Sequence, residues 1–332
     1  MNATIPVYVL TGFLGSGKTT LLNRVLDDAK ARGLKPAIVM NEVGDVNVEG
    51  QTIDAAVPMA ELLGGCICCT SKGDLGLELV QLAQQEKPDV IWIESTGIAQ
   101  PLDVVEGVTE ASLYAKLELA NVVTVVDARH LLDRIRIGSG KTFRLMKEQI
   151  RAADILVLNK ADLVAPAELE ELREALAAWN PQAVIHVVSR AELDPRALYA
   201  YAPSGGKSRA VFEASQEDEL EPTDREASDG RFKFANASAG HAHVNAFTYF
   251  FGNDIDSVRF ERFLKELPEN VYRAKGIVGF RDTASLFLFQ HAYGESDFLR
   301  VTPQKSVNRV AVFIGEGFSR EKLEQRLKEL EA

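Results

Sequence analysis

Cysteine is nearly missing from this chain of 332 residues: there are three, all within Cys66-Ile67-Cys68-Cys69. A secreted disulfide scaffold spreads an even number of cysteines along the chain to close loops. Three thiols within four positions close no useful loop, so they fit a reducing compartment and a local chemical task. Long apolar runs are missing too. No stretch approaches the roughly 18 apolar residues that read as a membrane span. The start, Met1-Asn2-Ala3-Thr4-Ile5-Pro6, has no basic segment followed by an apolar one, so a secretory signal is not expected. Positive charge is in deficit, with 37 Lys and Arg against 48 Asp and Glu and a formal net charge of −11. Phosphate backbones and acidic lipids do not attract such a surface, so neither nucleic acid nor membrane is an expected partner. These absences, with an ordinary 46% hydrophobic and 26% charged composition, predict a soluble cytoplasmic protein.

What is present is organised in two parts, in line with a prior of one domain per roughly 100–200 residues. Short, β-branched, nearly continuous apolar runs occupy 7–10, 37–40, 90–93, 122–126, 155–158 and 184–188. Runs without alternation read as strands buried on both faces of a parallel sheet. Amphipathic stretches separate them, such as 168–179 with Leu169, Leu172 and Leu176 at helical spacing. The expected fold is α/β: a doubly wound, mostly parallel P-loop NTPase sheet over residues 1–205. Between 213 and 229 the acids Glu213, Glu217, Asp218, Glu219, Glu221 and Asp224 dominate, with few apolar residues. Such a composition cannot offset the entropy of ordering, so 206–240 is expected to be a flexible acidic linker. Residues 241–332 then read as a smaller α+β domain, with strands at 244–251, 272–280, 285–290 and 308–314 and a helix at 258–267. A mixed sheet is expected there, with helices on one face. A closing helix at 319–330 has Ser319 as N-cap and Phe318 placed to staple onto Leu323.

The first strand runs into Gly12-Phe13-Leu14-Gly15-Ser16-Gly17-Lys18-Thr19, a full G-x-x-x-x-G-K-[ST] pattern that opens into a helix. Gly12, Gly15 and Gly17 let backbone N–H groups turn inward around phosphate oxygens, and the helix N-terminus adds partial positive charge. Ser16 and Thr20 join the phosphate-binding set. Lys18 is expected to reach the β- and γ-phosphates, and the Thr19 hydroxyl to ligate Mg²⁺. Ile91-Trp92-Ile93-Glu94 is the acidic strand that such a site needs. Glu94 is assigned to the Mg²⁺ shell or to orienting the attacking water, and Ser95-Thr96-Gly97 to sensing the γ-phosphate.

After the strand at 155–158 comes Asn159-Lys160-Ala161-Asp162. An Asp here accepts two hydrogen bonds from guanine, and adenine has no matching pair of donors on that edge. Asn159 is expected to tie this loop to the P-loop and the stem of Lys160 to cover the base. Ser189-Arg190 offers a backbone N–H to the guanine oxygen. The nucleotide is therefore read as GTP, cycling to GDP.

Thiolates prefer soft or borderline metals, chiefly Zn²⁺ or Cu(I). Cys66, Cys68 and Cys69 follow Gly64-Gly65, and a tetrahedral site needs a further donor. Glu42 or Asp45, from Asn41-Glu42-Val43-Gly44-Asp45 in the switch position after the second strand, is the candidate. Glu42 is placed in the metal set, and Asp45 beside Lys18 and Glu94 in catalysis. A redox thiol pair or small buried cysteines is the alternative. His241 and His243 fall on one face of a strand and form a candidate accessory site. His130, His186 and His291 receive no role.

Together these motifs resemble the CobW-type family of P-loop GTPases, and the stretch from Val244 onward resembles that family's C-terminal domain. The resemblance implies a slow GTPase acting as a metallochaperone or metal-insertion factor. Zinc or cobalt would be held by Cys66, Cys68 and Cys69 and passed to a metalloprotein client. Two departures stand out: Val43 and Asp45 replace the Phe and Glu of the family's N-E-F-G-E, and no histidine-rich tract accompanies His241 and His243. No arginine finger is recognisable, so unstimulated turnover is expected to be slow. A non-catalytic GTP-dependent switch that docks a protein partner is the competing reading. A small-molecule kinase ranks third, because Asn159-Lys160-Ala161-Asp162 speaks against it. A homodimer is left open.

Overall fold

The computed structural model of the protein describes residues 4–40, 57–61, 72–95, 97, 100–200, 244–292, 294–303 and 307–332. The expected linker at 206–240 lies outside the described residues, as do His241 and His243. Glu42, Asp45, Cys66, Cys68, Cys69 and Thr96 also lie outside them.

The first part is built on β1 (Ile5–Thr11), α1 (Lys18–Ala31), β2 (Pro36–Met40), β3 (Met59–Glu61), α2 (Lys72–Glu86), β4 (Val90–Glu94) and α3 (Pro101–Ser112). It continues with β5 (Leu117–Asp127), α4 (Ala128–Ile137), α5 (Lys141–Arg151), β6 (Ile155–Asn159), α6 (Pro166–Trp179), β7 (Val184–Val187) and α7 (Arg196–Ala200). The strands form one seven-stranded sheet in the order β3-β2-β4-β1-β5-β6-β7, and every registered pairing is parallel. Continuous apolar strands suit this sheet because both faces are covered. Tyr8 and Leu10 pack with Leu21, Leu22 and Val25 of α1. The alternate residues Val7 and Val9 pack on the opposite face with α2 and α3. At roughly 1.5–3 kcal/mol for each buried large aliphatic, these two layers are the main force that fixes the sheet.

The register decides where chemistry collects. Leu10 pairs with Glu94 and Asp127 with Asn159 at the carboxyl ends of their strands, and Thr11, the last residue of β1, pairs with Thr124, three residues before the end of β5. β1 lies between β4 and β5, where the strand order reverses, and ligands bind in the crevice at such a point.

The second part comprises β8 (Val244–Phe250), α8 (Ser257–Lys265), β9 (Arg273–Gly279), β10 (Leu286–Ala292), β11 (Glu295–Val301), β12 (Val310–Glu316) and α9 (Arg320–Glu331). Its sheet runs β11-β10-β9-β12-β8. The expected mixed sheet is corrected: all four strand pairings are antiparallel. β11 is an additional strand, and its mostly exposed sequence ESDFLRV hides it from a hydrophobic pattern. α8 and α9 cover one face through Phe260, Phe263, Leu264, Leu323, Leu327 and Leu330. Ser319 caps α9 by accepting from Lys322 N at 3.3 Å, and the buried Phe318 joins Leu323 in that cluster.

The other face rests on α3. Ala246 and Ile314 enter the core beside Val104, Val105 and Val108. Lys275 Nζ lies 2.7 Å from Glu110, and Arg273 pairs with Glu106. Asn308 N donates to Leu113 O at 3.0 Å. Among the described residues, no helix is long and apolar enough to cross a membrane.

Candidate functional site

The P-loop leaves β1 through Gly12 and enters α1 at Gly17, which sits at φ 106 as the N-cap. A side chain at Gly17 would put its Cβ 2.4 Å from Asn159 Nδ2, so the position needs glycine for space as well as for its left-handed backbone. Lys18 is buried and folds back over the loop, its Nζ donating to Phe13 O at 3.3 Å. Thr19 Oγ1 donates to Glu94 Oε1 at 3.2 Å, bringing a hydroxyl and a buried carboxylate from 75 residues apart to one point. Gly15 and Thr20 lie on the exposed rim, whereas Ser16 is buried.

Two buried hydroxyls, Thr11 Oγ1 and Ser16 Oγ, have no hydrogen-bond partner among the described residues. A buried hydroxyl left unpaired costs on the order of 1–3 kcal/mol, so a polar ligand that satisfies it is favoured. A polyphosphate fits this cradle: it supplies acceptor oxygens where the loop offers the Ser16 hydroxyl, an ammonium and the N-terminus of a 14-residue helix. Hard oxygen donors such as Thr19 and Glu94 fit Mg²⁺ rather than a thiophilic ion.

Asn159 is the hub of the second half. Its Nδ2 donates to Ser16 O at 2.8 Å, and its Oδ1 accepts from Ala191 N at 2.8 Å. One buried side chain therefore links the P-loop, the end of β6 and the loop holding Ser189 and Arg190. That loop is bent sharply, with Arg190 and Ala191 both at φ 53. Lys160 adopts φ 59, and its Nζ lies 2.7 Å from Asp127 Oδ2. Asp162 occupies an exposed single turn, Ala161–Leu163, beside this loop.

The structure thus sets Thr19 against Glu94, with Lys18 beside Thr19 in the same loop, and ties that loop through Asn159 to the loop holding Ser189 and Arg190; Lys160 and Asp162 follow Asn159 in the chain. It gives no geometry for Asp45, Glu42 or the three cysteines, which lie outside the described residues. Among the described residues, no group of three or more His, Cys, Asp or Glu side chains could hold a metal ion.

Three residues beside the P-loop escape a reading of motifs. Asp127 caps α4 by accepting from His130 N at 2.9 Å while it pairs with Lys160. His130 sets its ring edge-on to Phe13, centroids 5.8 Å apart, and its Nε2 accepts from Arg134 Nε at 3.1 Å. Gln149 of α5 reaches Gly97, with Nε2 to O at 3.1 Å. Asp127 had a usable signal, an acid ending a buried strand just as Glu94 does; His130 and Gln149 had none.

Residues 6–187 match the family described as CobW/HypB/UreG, nucleotide-binding domain, and residues 244–331 match the cobalamin synthesis protein cobW C-terminal domain. Among curated relatives, the zinc chaperone YeiR of Escherichia coli K12 is 36% identical over 175 residues, 52% of this chain and 51% of that protein. The zinc chaperone YjiA of the same organism is 34% identical over 202 residues, 59% and 61% of the two chains. Zinc-regulated GTPase metalloprotein activator 1 of Dictyostelium discoideum is 32% identical over 215 residues, 54% and 44%. The chain spans about half the length of the curated relatives it matches.

Proposed function

The chain belongs to the CobW/HypB/UreG nucleotide-binding family, and from that membership we propose a slow GTPase that gates the delivery of a zinc ion to a metalloprotein client. The observation that carries the reading is the pair of junctions around one crevice: Thr19 against Glu94 at 3.2 Å, and Asn159 tied to both the P-loop and the 189–191 loop.

In this reading the P-loop glycines, Ser16, Thr20 and the α1 N-terminus bind the phosphates, and Lys18 stabilises charge that develops on them. Mg²⁺ held by Thr19 and Glu94 would add positive charge at the β- and γ-oxygens. Glu94 and Asp45 orient the attacking water. Asp162 accepts from guanine, Lys160 covers the base in the position Asp127 gives it, and Ser189-Arg190 closes the base loop. Cys66, Cys68 and Cys69 with Glu42 form the zinc site, or a cobalt site in another cellular setting. The division into a GTPase domain at 1–205, a linker at 206–240 and a C-terminal domain at 241–332 belongs to the same proposal, as does a cytoplasmic setting. The zinc chaperones and the zinc-regulated activator among the relatives support the cargo.

Steady-state turnover with GTP and with ATP tests the enzymatic part. Hydrolysis of GTP well below about 10 s⁻¹, with ATP a poor competitor, is expected. Equal use of both nucleotides, or none of either, would contradict it.

A further inference from the structure

α5 packs beside the nucleotide crevice without supplying any of the phosphate or base contacts proposed above. Its last turn is nevertheless pinned at two points. Thr124 Oγ1 of β5 donates to Gln149 O at 3.0 Å, taking up a carbonyl near the helix C-terminus, where four carbonyls lack intrahelical donors. The Gln149 side chain then donates from Nε2 to Gly97 O at 3.1 Å, across 52 residues of sequence. Gln149 is 1% exposed, so this amide cannot exchange its partner for bulk water.

Gly97 is pressed onto the P-loop from the other side. A Cβ on Gly97 would stand 2.8 Å from Leu14 N and 3.3 Å from both Phe13 C and Phe13 Cα. The Gly97 peptide is therefore held between a buried amide on α5 and the backbone of the phosphate loop. It follows Glu94 by three residues, so its placement is tied to the end of β4. A glycine here gives the P-loop its close approach, and the glutamine sets how the peptide is turned.

We propose that Gln149 is a positioning residue for GTP hydrolysis: it latches the Gly97 peptide against the P-loop at the γ-phosphate end of the site. The inference rests on the GTPase reading and on the γ-phosphate lying beside Gly97. The latch contributes where Gly97 must face a γ-phosphate and contributes little to GDP binding, because GDP leaves that end of the loop without a ligand. It also gives α5 a direct mechanical link to the hydrolysis state, since any movement of Gly97 breaks or strains a buried hydrogen bond.

The test is Gln149→Met, which keeps the length and apolar packing of the side chain but cannot donate, with Gln149→Glu, which sets a carboxylate against a carbonyl. Steady-state hydrolysis and labelled-GDP affinity are measured on the full chain. The latch predicts that kcat falls about tenfold or more, the loss of one buried hydrogen bond, while GDP affinity and the KM for GTP stay within about twofold. An unchanged kcat in Gln149→Met would overturn it. So would a parallel loss of GTP and GDP affinity, which marks a general packing role. Should Gln149→Met fail to fold, Thr124→Val removes the anchor beneath α5 and is expected to shift kcat in the same direction without changing GDP affinity. No change there would equally overturn the latch. If the unaltered chain hydrolyses GTP and the variants match it, only the latch fails; if the unaltered chain shows no turnover, the GTPase reading fails and takes the latch with it.

Discussion

Asn159→Ala removes both bonds of the hub at once. The Ser16 carbonyl and the Ala191 N–H each lose a 2.8 Å partner, and Ser16, Asn159 and Ala191 are all 2% exposed or less. Leaving a buried polar group unpaired costs about 1–3 kcal/mol, so two such losses come to roughly 2–6 kcal/mol. Water entering the gap next to Gly17 recovers part of this, which sets the expected total near 2–4 kcal/mol. The loss divides between two quantities. If the loops hold their shape without nucleotide, it appears as lower unfolding stability in urea; if they relax, it appears as weaker nucleotide binding. The sum is read by combining urea unfolding of the apo-protein with labelled-GDP and labelled-GTP titrations. Because Asn159 touches the 189–191 loop and the P-loop backbone rather than the proposed γ-phosphate end, GDP and GTP are expected to weaken by the same factor. Asn159→Asp serves as control: it keeps the acceptor for Ala191 N and turns the Ser16 contact into a repulsion. A total under about 0.5 kcal/mol for Asn159→Ala, the range of an ordinary surface change, would refute the hub.

In the proposed GTP site Asp162→Asn removes a charged acceptor from the base edge; at about 1.5–3 kcal/mol per charge-assisted bond, GTP affinity should fall on the order of 10²–10⁴-fold, with xanthine nucleotide gaining. A loss below tenfold in a competition titration would separate Asp162 from the base. Glu118, on β5 facing Arg320 and Glu324 of α9, has its carboxyl pushed up to about 7 by desolvation and then by Glu324, against a downward pull from Arg320. A carboxyl raised in the folded state favours folding fully below pH 4.5 and loses that contribution as pH rises through about 7. Glu118→Gln should therefore stabilise the protein above pH 7, by up to about 3 kcal/mol, and leave it unchanged near pH 4.5. A stabilisation that does not depend on pH would contradict this. At the seam between the two sheets, Ile314→Ala should cost about 2–4 kcal/mol by opening a cavity in the shared core. Glu106→Ala and Glu110→Ala, whose pairs are partly exposed, should each cost under about 1 kcal/mol. The reverse order in thermal unfolding would place the cohesion of the seam in its ion pairs.

The phosphate loop was legible because its chemistry is contiguous: strand, glycine loop, Lys18, Thr19 and helix follow one another in sequence. The strands around it were legible because burial on both faces leaves uninterrupted apolar runs. β3 was not, since Met59–Glu61 is three residues long and carries no period. β11 was not, because an exposed edge strand has no apolar face to show. Strand direction in the second sheet also escaped, as period-2 patterning is the same for parallel and antiparallel neighbours. The contacts of Lys160 with Asp127 and of Gln149 with Gly97 depend on strand register and helix placement rather than on spacing. The docking of Ile314 and Ala246 onto α3 is likewise a property of assembly, since neither residue differs in sequence from an ordinary core position.

The most direct test of the central claim is a Zn²⁺ titration against a competing chelator on the reduced full chain, first with Mg·GTP and then with Mg·GDP. The same pair of titrations is run on a variant with Cys66, Cys68 and Cys69 changed to Ser. One tight zinc site is expected, which needs the thiols and is at least about tenfold tighter with GTP, a coupling of roughly 1.4 kcal/mol. Equal affinity in the two nucleotide states, or zinc binding that survives loss of all three thiols, would contradict it.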